Sequence, residues 1–185
     1  RASREALGLP PDQPMVLVIG GSQGARGVNH LVTAASTEWR GVSLLHVCGA
    51  TDEAEVRAAY AGAANEVQVH AFLKDMPQAL GAATLAVSRA GASSIAELAA
   101  ARVPSVFIPL PNSADDHQRA NAAAVVAAGG GKVLEQHGTS SGELARVVEE
   151  LLQDDPARAK MAEGMAALDR PESATQIADR ILRRL

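Results

Sequence analysis

The chain has 185 residues, 47% of them hydrophobic, and a formal net charge of -4, enough apolar material for one domain of ordinary size with a sizeable core. Its 17 Lys and Arg and 21 Asp and Glu are interspersed rather than blocked, which leaves no basic footprint for neutralising phosphates and excludes nucleic acid as the expected partner. Trp39, Tyr60, Phe72 and Phe107 are the only aromatic residues, so neither a base-stacking platform nor an aromatic sugar groove is expected. Cys48 is the single cysteine; it permits no intramolecular disulfide, suits a reducing cytoplasm and reads as a small buried strand residue. No apolar run approaches the roughly 20 residues of a membrane span, and no charged-then-apolar leader opens the chain. The start at Arg1, in a polar, helix-like stretch, reads as a cut from a longer protein.

In chain order, Met15 to Ile19 is short, β-branched and bounded by Pro14 and by Gly20-Gly21, the pattern of a buried strand. Val28, Leu31, Val32 and Ala35 recur at helical spacing and predict a helix from Ala25 to about Glu38, before a second strand at Val42 to Val47. The alternation continues with a helix at Asp52 to Ala61, a strand at Val67 to His70, a short helix at Met76 to Gly81 and a strand at Thr84 to Val87. A helix from about Ser93 to Ala101 precedes a strand at Ser105 to Ile108, set between Pro104 and Pro109. A helix from about Asp115 to Ala128 then leads through Gly129-Gly130-Gly131 to a last strand at Lys132 to Leu134. The tail reads as three helices, about Ser141 to Leu152, Pro156 to Leu168 and Ser173 to Arg184.

Strands separated by helices of this length favour parallel crossovers, because parallel neighbours need a long return connection. The expected fold is therefore α/β, a doubly wound, six-stranded parallel Rossmann-like sheet with extra C-terminal helices. One domain over 1–185 is expected, with a lead-in at 1–13, a core at 14–135 and a helical tail at 136–185. Ligands of such sheets bind beyond the carboxyl ends of the strands, near the point where strand order reverses, which directs attention to the loops after strands.

Three of those loops carry unusual residues. The first, Gly20-Gly21-Ser22-Gln23-Gly24-Ala25-Arg26, can turn tightly and present amide N–H groups at a helix N-terminus, a setting for a diphosphate, although many strand-to-helix turns favour glycine without binding anything. It lacks the Lys-Ser or Lys-Thr of a Walker A loop and departs from G-x-G-x-x-G, and the second strand ends in Val47-Cys48-Gly49 with no acid for a ribose, so NAD is disfavoured. The second loop is Ser88-Arg89-Ala90-Gly91-Ala92-Ser93-Ser94, running into Ile95-Ala96-Glu97-Leu98. Ser94 and Glu97 have the spacing of a capping box, which on local sequence is the favoured role; the Glu97 carboxylate could instead accept hydrogen bonds from two ribose hydroxyls. The third spans Pro109 to Asn121 and contains Asp115, Asp116, His117 and Gln118. Its acids suit the positive end of the following helix and Ser113 can cap it, while the Gln118 amide offers the donor and acceptors a sugar hydroxyl needs. Arg26 and Arg89 have the charge of phosphate partners but more often are exposed or ion-paired, and they rank below the backbone amides. The histidines at 30, 46, 70 and 137 have no metal-ligand spacing, so neither a metal nor a cofactor is expected.

Taken together, Gly20 to Arg26 with Asn29, Ser88 to Ala92 with Glu97, and Asp116-His117-Gln118 with Asn121-Ala122 resemble the C-terminal half of the MurG family of UDP-N-acetylglucosamine transferases. The resemblance runs from about Met15 to the last helix. It implies a GT-B architecture, in which the donor lies between two Rossmann-like halves, with this chain as the donor-binding half. It further implies that Gly21, Ser22, Gln23 and Gly24 contact the diphosphate, and that Phe72, Leu73 and Met76, similar to the family's Phe-x-x-x-Met segment, receive the uracil. Ala92, Ser93 and Ser94 would supply a second helix N-terminus, Glu97 would hold the ribose, and His117 and Gln118 would face the sugar.

The family's reaction inverts the anomeric centre without a metal on the diphosphate, attaching N-acetylglucosamine to lipid-linked muramyl pentapeptide on the way to peptidoglycan. By this resemblance no catalytic residue lies in the chain, the general base belongs to an N-terminal half, and the chain alone is inactive. The full protein would be cytoplasmic and peripheral at the inner face of the bacterial membrane. Another GT-B nucleotide-sugar transferase, an epimerase on the same scaffold and a non-catalytic nucleotide-sugar-binding partner remain the alternatives, because the acceptor side is not in this sequence.

Overall fold

A computed structural model of the chain describes residues 1–21, 25–111, 113 and 116–183. Its elements are α1 (Ala2–Ala6), β1 (Met15–Ile19), α2 (Arg26–Ala35), β2 (Ser43–Val47), α3 (Glu53–Ala59), β3 (Val67–His70), α4 (Met76–Ala82), β4 (Leu85–Ser88), α5 (Ala92–Ala100), β5 (Ser105–Phe107), α6 (His117–Ala127), β6 (Gly131–Val133), α7 (Ser141–Gln153), α8 (Asp155–Ala166) and α9 (Ser173–Leu182). The six strands form one parallel sheet in the order β3-β2-β1-β4-β5-β6. Strand order reverses between β1 and β4, the switch point at which doubly wound sheets open a crevice.

Burial on both faces explains why β1 is a continuous apolar run instead of an alternating one, and why β2, β4 and β5 are buried along their whole length. Every residue of β1 is buried, and its side chains divide between two cores by the two-residue period of a strand. Val16 and Val18 join Val28, Val32, Trp39, Leu144 and Val148 on the face covered by α2 and α7. Met15, Leu17 and Ile19 join Leu80, Leu98, Phe107, Val125 and Met165 on the face covered by α4, α5, α6 and α8. With so few aromatics, these cores are built almost wholly from aliphatic side chains.

The tail helices are fixed by specific starts. Ser140 caps α7 by accepting from Glu143 N at 3.1 Å, and Asp154 caps α8 by accepting from Ala157 N at 2.8 Å, with Pro156 in its first turn. Helix α8 then approaches the turn before β6 closely: a Cβ on Gly164 would lie 2.4 Å from Gly129 C and 2.5 Å from Ala128 O. Cys48 is fully buried, as its sequence context predicts, but lies one residue beyond β2 rather than in the strand. No helix among the described residues is long and apolar enough to cross a membrane.

Candidate functional site

The strand pairings align His70, Val47, Ile19, Ser88, Phe107 and Val133 in one row across the carboxyl edge of the sheet. The three motif loops therefore leave neighbouring strands, β1, β4 and β5, on the same edge. The Phe72 loop follows β3, four strand spacings from β5, or roughly 19 Å at about 4.8 Å per strand. An elongated ligand lying along this row would meet the Phe72 loop, the glycine loop, the α5 start and the α6 start in that order. Helices α2, α5 and α6 all begin at this edge, so their positive dipole ends converge there.

At β1, Gly20 N donates to Val47 O at 3.0 Å, and a Cβ at Gly20 would lie 3.2 Å from Ala25 Cβ and 3.3 Å from Asn29 Oδ1. Gly21 turns with φ +103°, a conformation that favours glycine. Ser22, Gln23 and Gly24, the rest of the expected diphosphate loop, lie outside the described residues. Behind the loop, Asn29 of the first motif is the hub of a buried polar network whose other members, His46, Asp52 and Tyr60, neither motif nor spacing announces. Asn29 Nδ2 donates to Cys48 O at 3.0 Å and to Asp52 Oδ2 at 2.9 Å, which leaves Asn29 Oδ1 as the acceptor 3.0 Å from His46 Nε2. His46 must then carry its proton on Nε2, and its Nδ1, 2.9 Å away, accepts from the Tyr60 hydroxyl. Burial pushes the His46 imidazole down to about 4 and the Tyr60 hydroxyl upward, and both hold the neutral pair. Arg26 is exposed and sits 3.6 Å from the buried Asp52 carboxylate, an ion pair at the first residue of α2.

At β4, helix α5 starts at Ala92 with Gly91 as its N-cap, and no side chain caps its first turn. The Ser94–Glu97 capping box is therefore not formed. The helix begins earlier than the Ser-x-x-Glu pattern suggests, which places Ser94 inside the first turn and Glu97 nearly a full turn further along. The amides of Ala92, Ser93 and Ser94 precede the first intrahelical bond, Ile95 N to Gly91 O at 3.0 Å. Ala92, Ser93 and Glu97 are exposed, and the Glu97 carboxylate makes no hydrogen bond or ion pair among the described residues. Nearby, an apolar cavity of about 320 Å³ is lined by Ala92, Ile95, Ala96, Asn121 and Leu168. Asn121 Nδ2 donates to Ala90 O at 3.1 Å and ties α6 to the α5 loop.

At β5, His117 opens α6 and is exposed, and Gln118 is half-buried. Gln118 Oε1 accepts from Leu110 N at 3.0 Å, which ties its carbonyl to its own loop. Ser113 Oγ accepts from Gln118 N at 3.4 Å, in keeping with the capping role expected of it. Asp116, the N-cap, adopts φ +53° and pairs with Arg119 Nη1 at 3.1 Å, while Asp115 lies outside the described residues. At β3, Phe72 is 73% exposed, whereas Leu73 and Met76 pack partly against the core. Asp75 caps α4 by accepting from Gln78 N at 3.2 Å.

Arg89 fits neither fate that its sequence suggests, since it is neither exposed nor ion-paired among the described residues. It is 7% exposed, and its guanidinium donates to Ile108 O and Pro109 O at 3.0 Å each and to Gln136 Oε1 at 2.6 Å. Gln136 carries no sequence signal of its own; only the folded arrangement brings it to Arg89. His30 pairs with Glu55 at 2.8 Å, and no group of three or more His, Cys, Asp and Glu that could hold a metal occurs among the described residues.

Residues 15–181 match the model of the glycosyltransferase family 28 C-terminal domain. The chain belongs to this family. It is 44% identical over 169 residues to the UDP-N-acetylglucosamine--N-acetylmuramyl-(pentapeptide) pyrophosphoryl-undecaprenol N-acetylglucosamine transferase of Xanthomonas campestris pv. campestris (strain B100), covering 90% of this chain and 40% of that protein. To the protein of the same name from Listeria monocytogenes serovar 1/2a it is 37% identical over 182 residues, covering 96% of this chain and 50% of the relative. The chain thus spans about half the length, or less, of these curated relatives. The crystal structure of Acinetobacter baumannii MurG superposes with a TM-score of 0.86 at 31% identity, over 93% of this chain and 52% of that one. The kitacinnamycin glycotransferase shares the fold, with a TM-score of 0.76 at 22% identity over 95% of this chain and 44% of that one. These likenesses, together with the reversed strand order, establish the sheet as the C-terminal half of a GT-B fold.

Proposed function

We propose that this chain is the donor-binding half of a MurG-type transferase and binds UDP-N-acetylglucosamine along the carboxyl edge of its sheet. The observation that carries the reading is the second loop: an uncapped, exposed α5 N-terminus, with the unpaired Glu97 carboxylate one turn further along the same helix. Free amides and a helix dipole suit a diphosphate, and a carboxylate with open lone pairs suits the two hydroxyls of a ribose. The names of the curated relatives supply the donor and acceptor chemistry by kinship.

In this reading Gly21, Ser22, Gln23 and Gly24 with Ala92, Ser93 and Ser94 hold the diphosphate. Phe72, Leu73 and Met76 receive the uracil, Glu97 the ribose, and His117 and Gln118 the sugar. As the acceptor hydroxyl attacks C1 and UDP departs, the helix N-termini stabilise the negative charge that grows on the leaving phosphate, because their donors are already aimed when that charge develops. The general base and the lipid-linked muramyl-pentapeptide acceptor belong to a further half of the whole protein, which works at the inner face of the membrane.

Calorimetric titration tests this. The chain should bind UDP and UDP-N-acetylglucosamine in preference to NADH, and should bind UDP more tightly than 2′-deoxy-UDP. Glu97→Ala should weaken UDP roughly tenfold or more, as expected for a lost hydrogen bond to a charged group, and should erase the discrimination against the deoxy analogue. Preferential NADH binding, or a Glu97→Ala chain with undiminished discrimination, would contradict it.

A further inference from the structure

A buried guanidinium is costly to desolvate and is ordinarily matched by a carboxylate. Arg89 is buried, yet no acid lies within 4.0 Å of it among the described residues, and its partners are two main-chain carbonyls and one side-chain amide oxygen. Those oxygens accept three hydrogen bonds from the guanidinium without cancelling its charge. Desolvation lowers its pKa to about 10, so it remains a cation at neutral pH. Arg26 offers the contrast, since its charge is offset by Asp52.

The position of Arg89 is as informative as its charge. It stands two residues before Gly91, the N-cap of α5, and its fork reaches the loop after β5 at Ile108 and Pro109. Through Nη2 it also holds Gln136, beyond β6. A Cβ on Gly27 would lie 2.5 Å from Gln136 Oε1, so the same amide packs directly on the first turn of α2. One side chain thereby joins the loops after β4, β5 and β6 to the start of α2, at the edge where three helix N-termini already converge.

We infer that Arg89 is a positioning residue of the donor site: its fork fixes these loops relative to one another, and its un-neutralised charge favours the donor's diphosphate at the α5 N-terminus. The inference rests on the donor reading above. It explains why a cation is retained where burial disfavours one, because a bound diphosphate supplies the missing counter-charge.

The test compares UDP with uridine, which lacks the phosphates, using ligand-detected NMR affinities for the wild-type chain, Arg89→Gln and Arg89→Lys, with folding checked by circular dichroism. Arg89→Gln should lower the UDP-to-uridine affinity ratio roughly tenfold, the order expected of one charge acting across about 10 Å of protein, because uridine feels only the loosened loops and UDP loses the charge as well. Arg89→Lys, which keeps the charge without the fork, should recover part of the ratio. A folded Arg89→Gln chain with the wild-type ratio, or with equal losses for both ligands, overturns the inference, since equal losses mark a purely structural role. Should Arg89→Gln fail to fold, the Arg89 Nε–H resonance of the wild-type chain decides: it should shift with UDP and not with uridine, and no shift with UDP overturns the inference. A wild-type chain that binds uridine without preferring UDP defeats Arg89 and the diphosphate contacts of the donor reading together, one that binds neither defeats the donor reading whole, and only the Arg89 variants' ratio separates the two.

Discussion

The His46 imidazole is held neutral by complete burial, by the acceptor it finds in Asn29 and by the donor it finds in Tyr60. Its pKa lies near 4 in the folded chain, against about 6.5 when unfolded. Between those values the unfolded chain binds the extra proton, so stability rises with pH through this window. The contribution is fully present above about pH 6.5 and is lost as pH falls toward 4, amounting to about 3 kcal/mol over the whole interval. Thermal unfolding followed by circular dichroism should show Tm falling from pH 7 to pH 4.5, with a shallower slope in His46→Gln; equal slopes would contradict the neutral, buried assignment. At this scale the sequence was only partly legible. Gly21, Glu97 and Gln118 stood out because their types and spacing match a known chemistry. The His46–Asn29–Asp52 network and the Arg89–Gln136 contact join residues 17 to 47 positions apart, and no local pattern announces such pairings. The capping box misled because glycine at position 91 starts the helix before Ser94 is reached.

Elements were more legible than residues, because periodicity and punctuation act locally. The runs Met15–Ile19 and Val67–His70 coincide with β1 and β3, and proline, glycine or small polar residues bracket the other strands to within a residue or two. The helix ends shift more. Helix α2 stops at Ala35 rather than near Glu38, since Ser36 and Thr37 hydrogen-bond back to Thr33 O and Ala34 O and close the last turn. Helix α6 starts at His117 rather than Asp115, because Asp116 takes a left-handed conformation at its cap. Glycines inside helices also separate by role. Gly164→Ala in α8 would drive a Cβ into the backbone of Gly129 and Gly130, at 2.4 to 2.5 Å. Backbone cannot yield as a flexible side chain can, so a loss of about 2 to 3 kcal/mol is expected. Gly142→Ala in α7, with its nearest neighbour 3.8 Å away, should be neutral or gain up to about 1 kcal/mol. Urea denaturation of the two variants measures the difference; equal stabilities would refute the close approach of α8 to the turn before β6.

For the whole molecule, sequence and structure agree on a doubly wound parallel sheet whose strand order reverses between β1 and β4. This follows from six short strands joined by helical crossovers, which leave few other topologies open. The reversal gathers the glycine loop, the α5 start and the α6 start on one edge, while the opposite edge carries different features. There a cavity of about 270 Å³ is lined by Thr33, Ser36, Arg40, Tyr60 and Asn65, none of which lies in the three motif loops or the Phe72 segment. The central claim is that the donor occupies the carboxyl edge. Its most direct test is the map of backbone amide shifts when the isotopically labelled chain is titrated with UDP. The account predicts the largest shifts at Gly20, Gly21, Leu73, Ala92, Ser93 and Ser94, with none around Thr33 and Asn65. Shifts centred on Thr33 and Asn65, or a chain saturated with UDP whose Ala92 to Ser94 amides do not move, would contradict it.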